Sequence, residues 1–198
     1  QQFGRDFFVF VGVLRYYKGL HILLDAIQGA PFRVVIAGSG PTEHDLKSQA
    51  ERLGLDNVVF AGYVDDRTKM SLLRLARGVV FPSFMRSEAF GVTLLEGSMM
   101  ARPLISTEIG SGTSHVNVDG QTGIVVPPNC PESLRAALSR LWEDQELASR
   151  LGDGARERFE NLFNGALMAD RYRQTYEDVV EPHGSKSDTI DGERRDGP

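Results

Sequence analysis

Six short apolar runs, each closed by glycine, proline or a small polar residue, alternate with helix-patterned stretches along this chain. Phe7 to Val11 reads FFVFV and ends at Gly12, as a strand buried on both faces does. Leu20, Leu23, Leu24 and Ile27 then fall at i, i+3, i+4 and i+7, the stripe of an amphipathic helix that closes near Gly29. Arg33 to Ala37 is the next strand, followed by a helix that carries Leu46, Ala50 and Leu53 and stops at Gly54. The alternation continues with Val58 to Phe60 as a strand, Lys69 to Ala76 as a helix and Val79 to Phe81 as a strand. A helix through Glu96 follows, then Leu104 to Ser106 and Gly123 to Val126 as strands. Strands and helices at this spacing imply an α/β fold with a doubly wound, mostly parallel sheet, Rossmann-like, with further helices at the C-terminal end.

In such sheets ligands bind beyond the carboxyl ends of the strands. Gly12, Gly38, Gly62 and Pro82 all fall at such ends, so one rim is the candidate site. The loop after Phe81 runs PSFMRSEAFGVTLLE and sets Glu88 in a loop and Glu96 eight residues later in a helix. Between them lies a Phe90-Gly91 pair, expected to be exposed at the loop-to-helix turn. Unpaired N–H groups at a helix start suit a phosphate, here from Val92, Thr93 and Leu94, and Gly91 permits close backbone approach. Carboxylates on either side can accept hydrogen bonds from sugar or ribose hydroxyls. A second reading of Thr93-x-x-Glu96 is a capping box, in which the carboxylate serves only its own backbone. Lys18, next to Gly19, is placed to neutralise a diphosphate, although a solvated surface lysine is the common alternative.

Several stretches together resemble the donor-binding, C-terminal domain of retaining glycosyltransferases of the GT-B fold, family 4. They are GVLRYYKG (Gly12 to Gly19), VIAGSGP (Val35 to Pro41), VVFAGYVDD (Val58 to Asp66), the Glu88-x7-Glu96 element and the segment from Pro103 to Pro127. The resemblance runs from about Phe7 to about Val180. It implies a sugar-nucleotide donor as substrate, with Lys18 and Glu88 as the catalytic pair and Glu96 on the ribose diol. It further implies that Val64, Asp66 and Lys69 border the base, where a carboxylate could accept from both N1–H and N2–H of guanine. An Asp N-cap of the next helix is the competing reading for that position. The family pattern has an arginine where this chain has Val13, so Arg15 is the candidate replacement for the second phosphate cation. Gly110-Ser111-Gly112 resembles a loop that closes over the donor, and GTSHVN (Gly112 to Asn117) resembles a subgroup that adds mannose or rhamnose to bacterial surface polysaccharide. The implied activity is transfer of a mannose-like hexose, GDP-linked, to a glycan or lipid-linked acceptor.

Other classes are set against this. Gly38-Ser39-Gly40 has Glu43 where a dinucleotide fingerprint needs its third glycine. No cofactor is expected. No metal is expected either, since the four histidines are scattered from Cys130 and no Asp-x-Asp element occurs. A net charge of −5 argues against a nucleic-acid partner. A nucleotide-sugar epimerase or synthase and a non-catalytic nucleotide-binding module stay open as alternatives. The single cysteine fits a cytoplasmic location. Peripheral association with the inner membrane face is left open for the full-length enzyme. Opening at Gln1 and entering its first strand at Phe7, the chain is expected to be one half of a longer protein. The resemblance implies that the acceptor site belongs to the N-terminal domain of such enzymes, so that this half alone would be inactive. Residues 1–180 are expected to form the nucleotide-sugar domain and residues 181–198, nearly free of apolar side chains, a disordered tail.

Overall fold

The computed structural model describes residues 6–180, so the expected tail lies outside the described residues. Six strands form one parallel sheet: β1 (Phe7–Val11), β2 (Arg33–Ala37), β3 (Val58–Gly62), β4 (Gly78–Phe81), β5 (Leu104–Thr107) and β6 (Gly123–Val126). Their order across the sheet is β3-β2-β1-β4-β5-β6. The central strand β1 is buried along its whole length, whereas the edge strand β3 is only half-buried, as edge position dictates. Helices cover the sheet in two groups. In one, α1 (Leu20–Ala26) packs with α2 (Glu43–Arg52) and α6 (Pro131–Glu143). In the other, α4 (Val92–Met99) packs with α3 (Asp66–Leu75), α5 (Thr113–Val116) and α7 (Gln145–Leu162).

Aromatic side chains lock the centre of the sheet to its neighbours. Phe8 meets Phe32 edge-on with ring centroids 5.3 Å apart, and Phe10 stacks on Phe81 at 6.4 Å. All four rings are fully buried or nearly so. Each contributes about 2–3 kcal/mol by leaving water, and truncating one to alanine would cost roughly 3–5 kcal/mol once the cavity is included.

The compact unit ends at Phe163. Helix α8 (Gly165–Val180) belongs to a separate unit. Among the described residues, no helix is long and apolar enough to cross a membrane.

Strand order decides where the site can be. The chain moves outward from β1 to β3, then crosses back to lay β4 on the other side of β1. The loops leaving β1 and β4 therefore diverge, and a crevice opens between them at the carboxyl rim.

Candidate functional site

Lys18 and Glu88 come from the two loops that flank this crevice. Tyr16–Lys18 forms a single 3₁₀ turn, closed by the Lys18 N–H on the Arg15 carbonyl at 3.0 Å. Gly19 then takes φ 70° and starts α1. A Cβ at that position would fall 2.1 Å from the Pro82 carbonyl oxygen, so only glycine lets the two loops touch. The Phe84 N–H donates to the Tyr17 carbonyl at 3.0 Å and seals the contact. Lys18 Nζ consequently reaches Glu88 Oε2 in an ion pair, with both side chains nearly buried. The ammonium also lies over the Phe81 ring, 4.7 Å from its centroid, and near Tyr17 at 5.3 Å.

Glu88 is held from two further directions. A turn joins its N–H to the Met85 carbonyl at 3.1 Å, and the buried Ser83 hydroxyl donates to Oε2 at 3.2 Å. Ser83 is fixed in turn because its carbonyl accepts from the Thr107 hydroxyl at the end of β5. Both side-chain bonds use Oε2. Oε1 has no partner among the described residues and is not sealed from solvent, so it can accept a ligand hydroxyl.

A second pair forms where α3 faces α4. Lys69 Nζ donates to Glu96 at 2.7 Å and lies 3.1 Å from Asp66. The hydrogen bond to Glu96, ahead of the one to Asp66, raises the Lys69 pKa against a smaller opposing effect of burial. This pairing answers the capping-box question: α4 is capped by Gly91, and the Thr93 hydroxyl donates to the Val11 carbonyl at 3.1 Å. The capping alternative for Asp66 falls as well. Asp65 is the cap, its carboxylate accepting from the Thr68 N–H at 2.7 Å; the Thr68 side chain first, and then this N–H, hold its pKa below the usual carboxylate range. Asp66 is left with its carboxylate projecting into solvent.

Val64, Asp66 and Lys69 share a cleft of about 250 Å³ with Val11, Gly12 and Gly38, at the ends of β1, β2 and β3. At the start of α4, Gly91 takes φ 85°, where L side chains are strained. The N–H groups of Val92 and Thr93 have no partner among the described residues, as the first turn of a helix requires. The Leu94 N–H is already bonded to the Gly91 carbonyl at 2.9 Å, so the expected trio of donors is a pair.

One expectation about exposure is corrected. Phe90 is not an exposed ring: it is half-buried, packed edge-to-face on Phe163 with centroids 6.2 Å apart. Its neighbour Ala89 accepts from the Gly112 N–H at 2.9 Å, which joins this loop to the segment expected to close over the donor. Arg15 does not line the cleft with Val13. A tight turn, in which the Arg15 N–H donates to the Val13 carbonyl at 2.9 Å, directs it to a neighbouring cavity of about 290 Å³ beside Tyr16, His21 and Asp45.

With the geometry in place, comparison with known proteins gives the family. Residues 2–158 match the family model described as glycosyl transferases group 1. The chain belongs to that family. It is 51% identical over 178 residues to the O-antigen chain mannosyltransferase C of Escherichia coli, covering 90% of this chain and 48% of that protein. It is 54% identical over 163 residues to the D-rhamnosyltransferase WbpZ of Pseudomonas aeruginosa, covering 82% of this chain and 43% of that protein. The chain thus spans less than half the length of these curated relatives. Among solved structures, Anabaena HepE in complex with UDP and glucose shares the fold with a TM-score of 0.80 at 23% identity, over 88% of this chain and 49% of that one. The C-terminal domain of the group 1 glycosyl transferase LpcC of Francisella tularensis matches over 80% of this chain and 86% of its own, with a TM-score of 0.70 at 21% identity.

Some parts of this glycosyltransferase domain were not apparent from sequence. Ser83 and Thr107 carry no local pattern, because their partners lie on other strands and loops. Asn117, part of the GTSHVN phrase, is buried and structural, donating to the Ser106 hydroxyl at 2.8 Å and accepting from Thr122 at 2.9 Å. Glu108 accepts from the Gly110 N–H and the Ser114 hydroxyl, which lowers its pKa and braces the Gly110 to Gly112 loop.

Proposed function

We propose that this chain is the donor-binding half of a retaining glycosyltransferase that takes a mannose-like hexose from a GDP-linked donor. The observation that carries the proposal is the pair of lysine–glutamate contacts at one rim of the sheet, Lys18–Glu88 at the β1/β4 crevice and Lys69–Glu96 between α3 and α4. The diphosphate lies between them, its oxygens facing Lys18 and the free N–H groups of Val92 and Thr93. An ammonium carries three donors, so Lys18 can keep Glu88 and still bind phosphate oxygen. As the bond from sugar to diphosphate breaks, negative charge grows on the departing oxygen, and Lys18, already in place, stabilises it without rearrangement. Glu88 Oε1 accepts from a sugar hydroxyl and orients the ring. Glu96, steadied by Lys69, accepts from the ribose diol, and Asp66 reads the base. The protein's own cations and helix dipole meet the diphosphate charge. The mannosyl and D-rhamnosyl names of the two most identical of the relatives above support the hexose class.

The acceptor site belongs, on this proposal, to the other half of the full-length enzyme. This chain alone therefore binds donor and transfers nothing. A thermal-shift screen against GDP, UDP, ADP and their hexose conjugates tests the reading, since a ligand at 100 times its Kd stabilises by about 2.7 kcal/mol. GDP and GDP-mannose are expected to give the largest shifts. Equal silence from all three nucleotides at millimolar concentration would refute the donor site, and a preference for UDP would refute the role given to Asp66.

A further inference from the structure

A groove of about 600 Å³ runs between α3, the end of α4 and α7, and shares no lining residue with the donor cleft. Four arginines line it: Arg67 and Arg74 from the two ends of α3, Arg102 from the lead-in to β5, and Arg156 from α7. None of the lining residues is acidic, although the chain as a whole carries a net charge of −5. Two of the arginines are anchored. Arg102 donates to the Met100 carbonyl at 2.9 Å and the Ala76 carbonyl at 3.1 Å, and Arg156 donates to the Met99 carbonyl and pairs with Glu160. Arg67 and Arg74 are exposed, and their guanidinium groups make no hydrogen bond or close ion pair among the described residues, the Arg67 charge acting only at longer range on the Asp65 carboxylate. Burial first, and then the nearby positive charge of Arg74, lower the pKa of Arg102 against a smaller opposing effect of the Asp153 carboxylate on its other side.

Guanidinium groups match phosphate oxygens two at a time, and four of them around one concavity suit an anion with several phosphate oxygens. Met70, Met99 and Met100 complete the wall with adaptable apolar surface. We propose that this groove is a second phosphate site, separate from the donor cleft, for a ligand that bears a diphosphate group. That chemistry is shared by free pyrophosphate compounds and by lipid-linked diphosphate headgroups, and the experiment separates the two.

Inorganic pyrophosphate is titrated into the 198-residue chain by calorimetry, with the arginine side-chain N–H signals followed by NMR. The same chain is sedimented with vesicles of phosphatidylcholine, with and without a prenyl diphosphate lipid. Arg67→Gln/Arg74→Gln removes the two unanchored groups and no structural bond, and Lys18→Gln serves as the control for the donor cleft. The expected result is that signals of Arg67 and Arg74 shift and that the double variant weakens pyrophosphate binding about tenfold, while Lys18→Gln leaves those shifts in place. Dependence on the two arginines in the vesicle arm alone assigns the site to a lipid diphosphate, and in the calorimetric arm alone to a free one. Unshifted arginine signals together with unchanged affinity of the double variant in both arms overturn the proposal.

Discussion

The two lysine–glutamate pairs at the rim differ in how far they are removed from water. Lys18 and Glu88 have side chains only 11% and 10% exposed, and rings and two hydroxyl-bearing residues hold them. Lys69 and Glu96 are each 22% exposed, and their third member, Asp66, is 95% exposed. A buried pair is costly to assemble and costlier to break, because the survivor is an unpaired charge in a poor solvent. The more open pair contributes less to stability and rearranges more easily. On the proposed function, the rigid end faces the reacting bond, where geometry must already be correct, and the pliant end faces ribose and base, where contacts can form on binding.

The largest effects should therefore come from the rigid end. In the full-length enzyme, Glu88→Ala is expected to lower kcat by about 10²–10³ and to destabilise the domain by roughly 3 kcal/mol, measured by steady-state kinetics and urea unfolding. Removing both charges, as Lys18→Met/Glu88→Leu, should restore most of the stability and none of the turnover. Recovery of turnover would break the distinction between the two ends. At the pliant end, Glu96→Gln should raise the donor KM about tenfold with little change in kcat and a stability loss under about 1 kcal/mol. A drop in kcat equal to that of Glu88→Ala would show both pairs doing the same job. Smaller again, Asp66→Asn should reduce the preference for GDP over UDP by about tenfold, read by calorimetry with each nucleotide.

The smallest effect is one of pH. The Lys69 pKa is raised in the folded chain, so its contribution to stability is complete below the unfolded lysine value of about 10.4. That contribution is lost as pH rises through the folded value. The Tm difference between the parent chain and Lys69→Met should stay constant from about pH 7 to 9 and close above about pH 10.5. A difference that already closes near neutrality would contradict the pairing with Glu96.

Much of the framework could be read from residues because parallel strands buried on both faces are continuous apolar runs. Phe7 to Val11, Arg33 to Ala37 and Gly123 to Val126 appear at the expected bounds. The start of α3 was placed at Lys69 and lies at Asp66, because a charged first turn hides a helix from its apolar stripe. Three residues cannot show a period, so the 3₁₀ turn that aims Lys18 left no trace in sequence. Local pattern also misled where a distant partner decides the outcome. Thr93-x-x-Glu96 has the form of a capping box, yet Thr93 reaches back to β1 and Glu96 reaches across to α3. Phe90 looked exposed beside Gly91 because nothing nearby in the chain announces Phe163 as its packing partner. Arg15 sits two residues from Val13, but one tight turn between them sends it to another cavity.

The central claim is that one nucleotide diphosphate spans both pairs along the start of α4. Backbone and lysine NMR signals of the isotopically labelled chain, followed during titration with GDP, test it most directly. The account predicts concerted shifts at the Val92 and Thr93 amides, the Lys18 ammonium, and Val64 and Asp66. Shifts confined to one of the two pairs, or absent from the α4 start at saturation, would contradict it.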